Sequence, residues 1–201
     1  MAGDYHHRME KNRIEAFSDG VLAIIITIMV LELKVPHSAD FEELKQLLPI
    51  FWTYVLSFVY LGIYWNNHHH LLKAARKVTG GMMWANLHLL FWLSLFPFTT
   101  GWMGENNFKP IPTAVYGIVL FLAAVAYYIL QTIIVAQHGR GSKLAKALGA
   151  DWKGKLSPLL YAVAIATASY NPGISNGLFI LVALIWLVPD RRIERVVDEL
   201  K

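Results

Sequence analysis

The stretch Arg13-Ile-Glu-Ala-Phe-Ser-Asp-Gly-Val-Leu-Ala-Ile-Ile-Ile-Thr-Ile-Met-Val-Leu-Glu-Leu33 limits the folds open to this chain more than any other. About 20 helical residues cross the hydrocarbon core of a bilayer, so the stretch is long enough to span one. Its first third carries Arg13, Glu15, Ser18 and Asp19. The remainder is apolar except for Thr27 and Glu32. A carboxylate at the start of a membrane helix is costly unless it is partnered or wet.

The rest of the chain fits this setting. Of 201 residues 56% are hydrophobic and 16% charged, against about 25% charged in soluble domains. Seven Trp, nine Tyr and ten Phe suit membrane interfaces. The absence of cysteine excludes disulfides and thiolate chemistry. No cleavable signal peptide is expected, because Met1–Asn12 is polar and the first apolar run has no small-residue cleavage site after it.

Six apolar segments are predicted: 13–33, 47–72, 82–103, 113–136, 156–170 and 174–189. Together they predict an all-α polytopic membrane protein, a single transmembrane domain over 1–201. The last two segments are short, and Asn171-Pro172-Gly173 between them is a turn signal. Two crossings are favoured there over a re-entrant hairpin. The N-terminus, the second-to-third loop, the fourth-to-fifth loop and the tail hold fifteen Lys and Arg, from Arg8 to Lys201. The opposite loops hold Lys34, Lys45 and Lys109. This asymmetry places both termini in the cytoplasm. The tail 190–201 reads as a short amphipathic helix, with Ile193, Val196, Val197 and Leu200 at helical spacing. The basic excess sets topology and does not point to nucleic acid.

At about 100° per residue, Ile24, Ile28 and Leu31 form a narrow apolar stripe with Thr27 at its edge, and Asp19 points to nearly the opposite side. Such a stripe faces lipid, a neighbouring helix or a pore, and periodicity alone does not choose. Arg13, Ser18 and Asp19 read as a structural polar network, with permeation as the competing role. Trp65-Asn66-Asn67-His68-His69-His70 closes the second segment. Three consecutive His point in three directions on a helix, and no acidic partner lies at a matching spacing beside them or His88, so no metal site is expected. A network reaching Ser18 and Asp19 is the better reading. Pro97 in Leu95-Phe96-Pro97-Phe98-Thr99-Thr100 is expected to kink the third segment, with Thr hydroxyls taking up freed carbonyls. No Thr-Val-Gly-Tyr-Gly filter, P-loop, Gly-x-Ser-x-Gly or His-Glu-x-x-His occurs, so neither a carbonyl-lined filter nor an enzyme is expected. A proton-coupled secondary transporter using Asp19 and the His run is the alternative. A metalloenzyme on His68, His69, His70 and His88 and a non-conducting structural protein are more distant ones.

Arg13-x-x-x-Phe17-Ser18-Asp19, opening an Ile-rich first helix, resembles the signature of the transmembrane protein 175 family of potassium channels. Trp65-x-x-His68-His69 and Phe96-Pro97-Phe98-Thr99 are similar to that family's second and third helices. Animal members are similar to two six-helix units in tandem, whereas this chain has one and so resembles a prokaryotic member. The resemblance implies a homotetramer in the cell membrane with a central pore for potassium lined by four copies of helix one, and no cofactor. It implies that Ile24, Ile28 and Leu31 form the constriction, and that Thr27 influences selectivity. It also implies that Arg13, Phe17, Ser18, Asp19, Trp65 and the His68, His69, His70 run, through one or other of its rings, belong to the polar network that joins helices or subunits.

Overall fold

A computed structural model describes residues 2–36, 38–139, 142 and 152–187. The expected amphipathic tail lies outside the described residues. Every described element is helical. The first helix, α1, spans Ala2–Met29 and tightens into a 3-10 turn over Val30–Glu32. It is followed by α2 (Phe41–Gln46), α3 (Leu48–Ala74), α4 (Gly80–Ser94), α5 (Phe96–Glu105), α6 (Pro110–Ala136), α7 (Trp152–Thr167) and α8 (Pro172–Leu187).

The boundaries follow local chemistry. Pro49 stands in the first turn of α3 and Pro110 in that of α6, where a missing N–H costs nothing. Thr79 caps α4 by accepting the Met82 N–H at 3.2 Å. Asn171 Oδ1 accepts the Gly173 N–H at 2.9 Å, and Pro172 opens α8 directly after this turn.

The third expected segment is two helices, not one kinked one. Pro97 has no N–H for the Leu93 carbonyl and its ring crowds that turn. The chain therefore closes α4 at Ser94 and restarts at Phe96, which puts Pro97 in the first turn of α5. The Thr99 hydroxyl donates to the Leu95 carbonyl at 3.1 Å across the break. The two pieces still run on as one apolar span.

Among the described residues, four spans are long and apolar enough to cross a membrane: Met9–Glu32, Leu48–Ala74, Gly80–Glu105 and Pro110–Ala136. The fifth and sixth expected crossings correspond to α7 and α8, each 16 residues long. Within the described residues that is short of the roughly 20 residues of a full crossing, so the count of six is not met there by length alone.

One side of the bundle is α1 against α3, α4 and α5; the other is α7 and α8 against α6. Tyr60, Leu61, Phe96, Tyr116 and Phe179 fill the centre. Polar groups inside it are tied to one another. Ser57 Oγ lies 2.7 Å from Thr100 Oγ1 and 2.9 Å from the Tyr116 hydroxyl, and the Tyr60 hydroxyl donates to the Phe179 carbonyl at 2.6 Å. Small residues let the backbones close up. A Cβ on Gly104 would lie 2.6 Å from Ile50 Cα, so α5 meets α3 there backbone to backbone.

Candidate functional site

Two faces of α1 carry opposite surroundings. Ser18, Leu22, Ile25 and Met29, spaced by three or four residues, turn into the bundle, and none is more than 4% exposed. Arg13, Phe17, Gly20, Ile24, Thr27, Ile28 and Leu31 lie on the other face and are exposed. Ile24 is 58% exposed, Ile28 43% and Leu31 74%. A strip of aliphatic side chains about 10 Å long, at 1.5 Å rise per residue, is therefore uncovered within the protomer. The Thr27 hydroxyl donates to the Ile24 carbonyl at 2.9 Å. Its proton is held by the helix, and the oxygen lone pairs remain on the exposed face.

The polar residues on the inner side of α1 make three links to neighbouring helices. Asn86 of α4 donates its Nδ2 to Ser18 Oγ at 2.9 Å, and its Oδ1 lies 2.7 Å from His68 Nε2 of α3. This relay joins α1, α4 and α3, and Ser18, His68 and Asn86 are all buried. Asn86 Oδ1 can only accept, so His68 carries its proton on Nε2. The unpartnered atom of that ring, Nδ1, is then an acceptor without a hydrogen, the cheaper group to leave unpaired. In the second link Trp65 Nε1 donates to Asp19 Oδ1 at 3.1 Å. In the third, His69 Nδ1 meets Glu15 Oε1 at 2.6 Å, and the Trp65 and His69 rings stack with centroids 6.4 Å apart.

This arrangement adds a partner that the sequence spacing did not show and leaves two expected members outside the links. An acidic partner does lie beside the His run. It is Glu15, which comes from another helix and so leaves no mark in the spacing of residues 65–70. Arg13 and Phe17 are not drawn into these links within the protomer. They line a cavity of about 550 Å³ with Ile14, Thr79, Met83 and Asn86, and Arg13 has no hydrogen bond or ion pair among the described residues. Asn86 was not singled out in the sequence, although an amide inside the apolar run 82–103 is itself a signal of an interhelical bond.

His88 accepts the Trp92 Nε1 proton at 2.9 Å along its own helix. His68 and His69 are engaged with Asn86 and Glu15. Among the described residues no three His, Cys, Asp or Glu side chains converge as metal ligands would.

At the far end of α1, Lys34 Nζ meets Glu105 Oε1 at 2.5 Å. The Glu105 carboxylate, by this hydrogen bond and its charge, lifts the Lys34 pKa above its ordinary value.

Residues 13–97 match the family model described as "Endosomal/lysosomal potassium channel TMEM175". The chain is 53% identical over 191 residues to a potassium channel of Chryseobacterium sp., covering 95% of this chain and 100% of that protein. It is 30% identical over 189 residues to a potassium channel of Chamaesiphon minutus, covering 87% of this chain and 92% of that one. The fold superposes with a TM-score of 0.78 on the crystal structure of a lysosomal potassium-selective channel TMEM175 homolog from Chamaesiphon minutus, at 27% identity over 89% of this chain and 96% of that one. Sequence and fold thus agree along nearly the whole length, and the chain belongs to the TMEM175 family, among its prokaryotic members.

Proposed function

We propose that the chain is the subunit of a potassium-selective, leak-type channel of the cell membrane: a homotetramer of six-crossing subunits, both termini cytoplasmic, with its pore along α1. The observation that carries this reading is the uncovered face of α1. Ile24, Ile28 and Leu31 are aliphatic and exposed on a helix whose opposite face is buried to 4% or less. One subunit supplies only one such strip, and a closed ring of strips requires cyclic symmetry. The names of the relatives, potassium channels of two bacteria, support the same permeant ion.

In this reading Ile24, Ile28 and Leu31 form successive apolar rings. Such a ring offers no oxygen to replace an ion's water. Potassium holds its hydration shell less tightly than sodium and loses less on passing. A narrow apolar ring also closes by dewetting. The Thr27 oxygens, between the Ile24 and Ile28 rings, are the nearest polar groups an ion meets there. Ser18, Asp19, Trp65, His68 and His69 serve assembly: they fix the inner side of α1 to α3 and α4, so the strip is presented at a constant angle. Arg13 and Phe17, beside their open cavity, are the groups available to a neighbouring subunit.

Purified protein in potassium-loaded liposomes, diluted into sodium medium with a proton carrier, tests the proposal. Potassium efflux dependent on the protein is expected, with little sodium entry when the gradients are reversed. Efflux no faster than from empty liposomes contradicts it. Proton flux that saturates with a co-substrate would instead indicate a transporter.

A further inference from the structure

Beyond Met29 the helix changes its winding. The α-helical bonds end at Met29, and Val30–Glu32 form a 3-10 turn closed by the Leu33 N–H on the Val30 carbonyl at 3.1 Å. A 3-10 step turns about 120° instead of 100°, which carries Glu32 off the Leu31 strip and against α5. Its carboxylate lies where a side chain at position 101 would stand: a Cβ on Gly101 would be 2.5 Å from Oε2 and 2.9 Å from Cδ. Glu32 is half-buried and has no hydrogen-bond or ion-pair partner among the described residues. The nearby cation, Lys34, is bound to Glu105 at 2.5 Å and acts on Glu32 only through its charge, more weakly than on Glu105. The two acids and one lysine at this end of α1 leave one negative charge per subunit.

A carboxylate pressed against helix backbone without a donor is costly to desolvate, whatever its side chain adds by filling the space over Gly101. Its position, one residue beyond the last apolar side chain of the strip, gives it a use. We infer that Glu32 is a further permeation residue, whose carboxylate, seated over Gly101 at the end of the α1 strip, raises the local concentration of potassium at the non-cytoplasmic mouth. This rests on the proposed pore along α1. Four copies around the axis form a ring of charge that attracts cations without binding them tightly. The ring adds no selectivity between potassium and sodium, which the aliphatic rings provide.

Single-channel recording from the purified protein in planar bilayers tests the inference, with Glu32→Gln and Lys34→Gln compared to the unmodified protein. The first removes the unpaired charge. The second is an exposed change that frees Glu105 and adds a charge of the same sign. At about 0.01 M salt, where charges act over roughly 30 Å, Glu32→Gln is expected to lower the unitary current entering from the Glu32 side by about twofold. Lys34→Gln is expected to raise it. Both effects should fade near 1 M salt, where screening acts within roughly 3 Å. Reversal potentials should stay constant in both variants. A channel that conducts potassium with the same current in all three proteins, or with differences independent of salt, overturns the role of Glu32 and leaves the pore along α1 standing. If the unmodified protein passes no potassium current, the pore and the Glu32 inference fall together.

Discussion

Trp65 Nε1 donates to Asp19 Oδ1 at 3.1 Å, joining the C-terminal part of α3 to α1 one residue after the buried Ser18. The bond turns a carboxylate that would be expensive at the entrance of a membrane helix into a fixed point for the helix that carries the aliphatic strip. Asp19→Ala should therefore act mainly on assembly. Gel filtration of the variant is expected to give a smaller species or a loss of the single oligomeric peak. Trp65→Phe, which keeps the ring and loses the donor, should have the same effect in weaker form, on the order of 1 kcal/mol for one interhelical bond. A variant at Asp19 that assembles fully yet fails to conduct would assign the carboxylate to permeation.

The Ser18–Asn86–His68 relay is the most buried of the three links, so it should be the least tolerant. Asn86→Leu removes both its bonds and strands the Ser18 hydroxyl and the His68 Nε2–H without partners. Each buried group left unpaired costs about 1–3 kcal/mol. Thermal unfolding in detergent should show a clear fall in midpoint. His69→Gln, whose partner Glu15 is only partly buried, should show a smaller one.

Gly104 sits where α5 and α3 touch backbone to backbone, since a Cβ there would be 2.6 Å from Ile50 Cα. A contact with backbone cannot be relieved by a change of rotamer. Gly104→Ala should destabilise the protein by about 1–3 kcal/mol, as overpacking does. Gly62→Ala is the control, because nothing lies within 4 Å of its Cβ position. Parallel unfolding curves for the two variants check this, and equal midpoints would count against the tight α3–α5 approach.

The Lys34–Glu105 pair has a pH signature. The folded protein raises the Lys34 pKa above 10.5, so the stabilisation is complete below that value and is lost as pH rises through the raised one. Unfolding midpoints should fall more steeply with pH above 10.5 in the unmodified protein than in Glu105→Gln. The pair is exposed, so the difference should be small and should shrink with salt.

Much of the fold was readable from periodicity and punctuation. The long apolar runs, the prolines in first turns and the Asn171-Pro172-Gly173 turn act through chain-local physics, and local physics is what a sequence displays. Pro97 signalled a distortion, but whether a helix bends or stops depends on what packs around it, and here it stops at Ser94 and restarts. The site was half legible. The spacing of Ile24, Ile28 and Leu31 marks one face of α1, while only the positions of α3, α4 and α5 determine that this face is the uncovered one. The sequence shows Glu15 as a charge at the start of α1 but not its pairing with His69, nor the bond from Asn86 to Ser18, because these partners are more than fifty residues apart in the chain. Glu32 reads as a stray charge until Gly101 is seen beneath it.

If the uncovered aliphatic strip of α1 selects the ion, a polar side chain within it must change which ion the channel prefers. The measurement that tests it most directly is the reversal potential under opposed potassium and sodium gradients, taken for the unmodified protein and for Ile24→Asn in the same bilayer. The unmodified channel should reverse close to the potassium equilibrium potential. Ile24→Asn, which puts an amide in place of the first aliphatic side chain of the strip and admits water, should reverse much nearer zero. An unchanged reversal potential in a conducting Ile24→Asn channel would remove Ile24 from the pore and contradict the account.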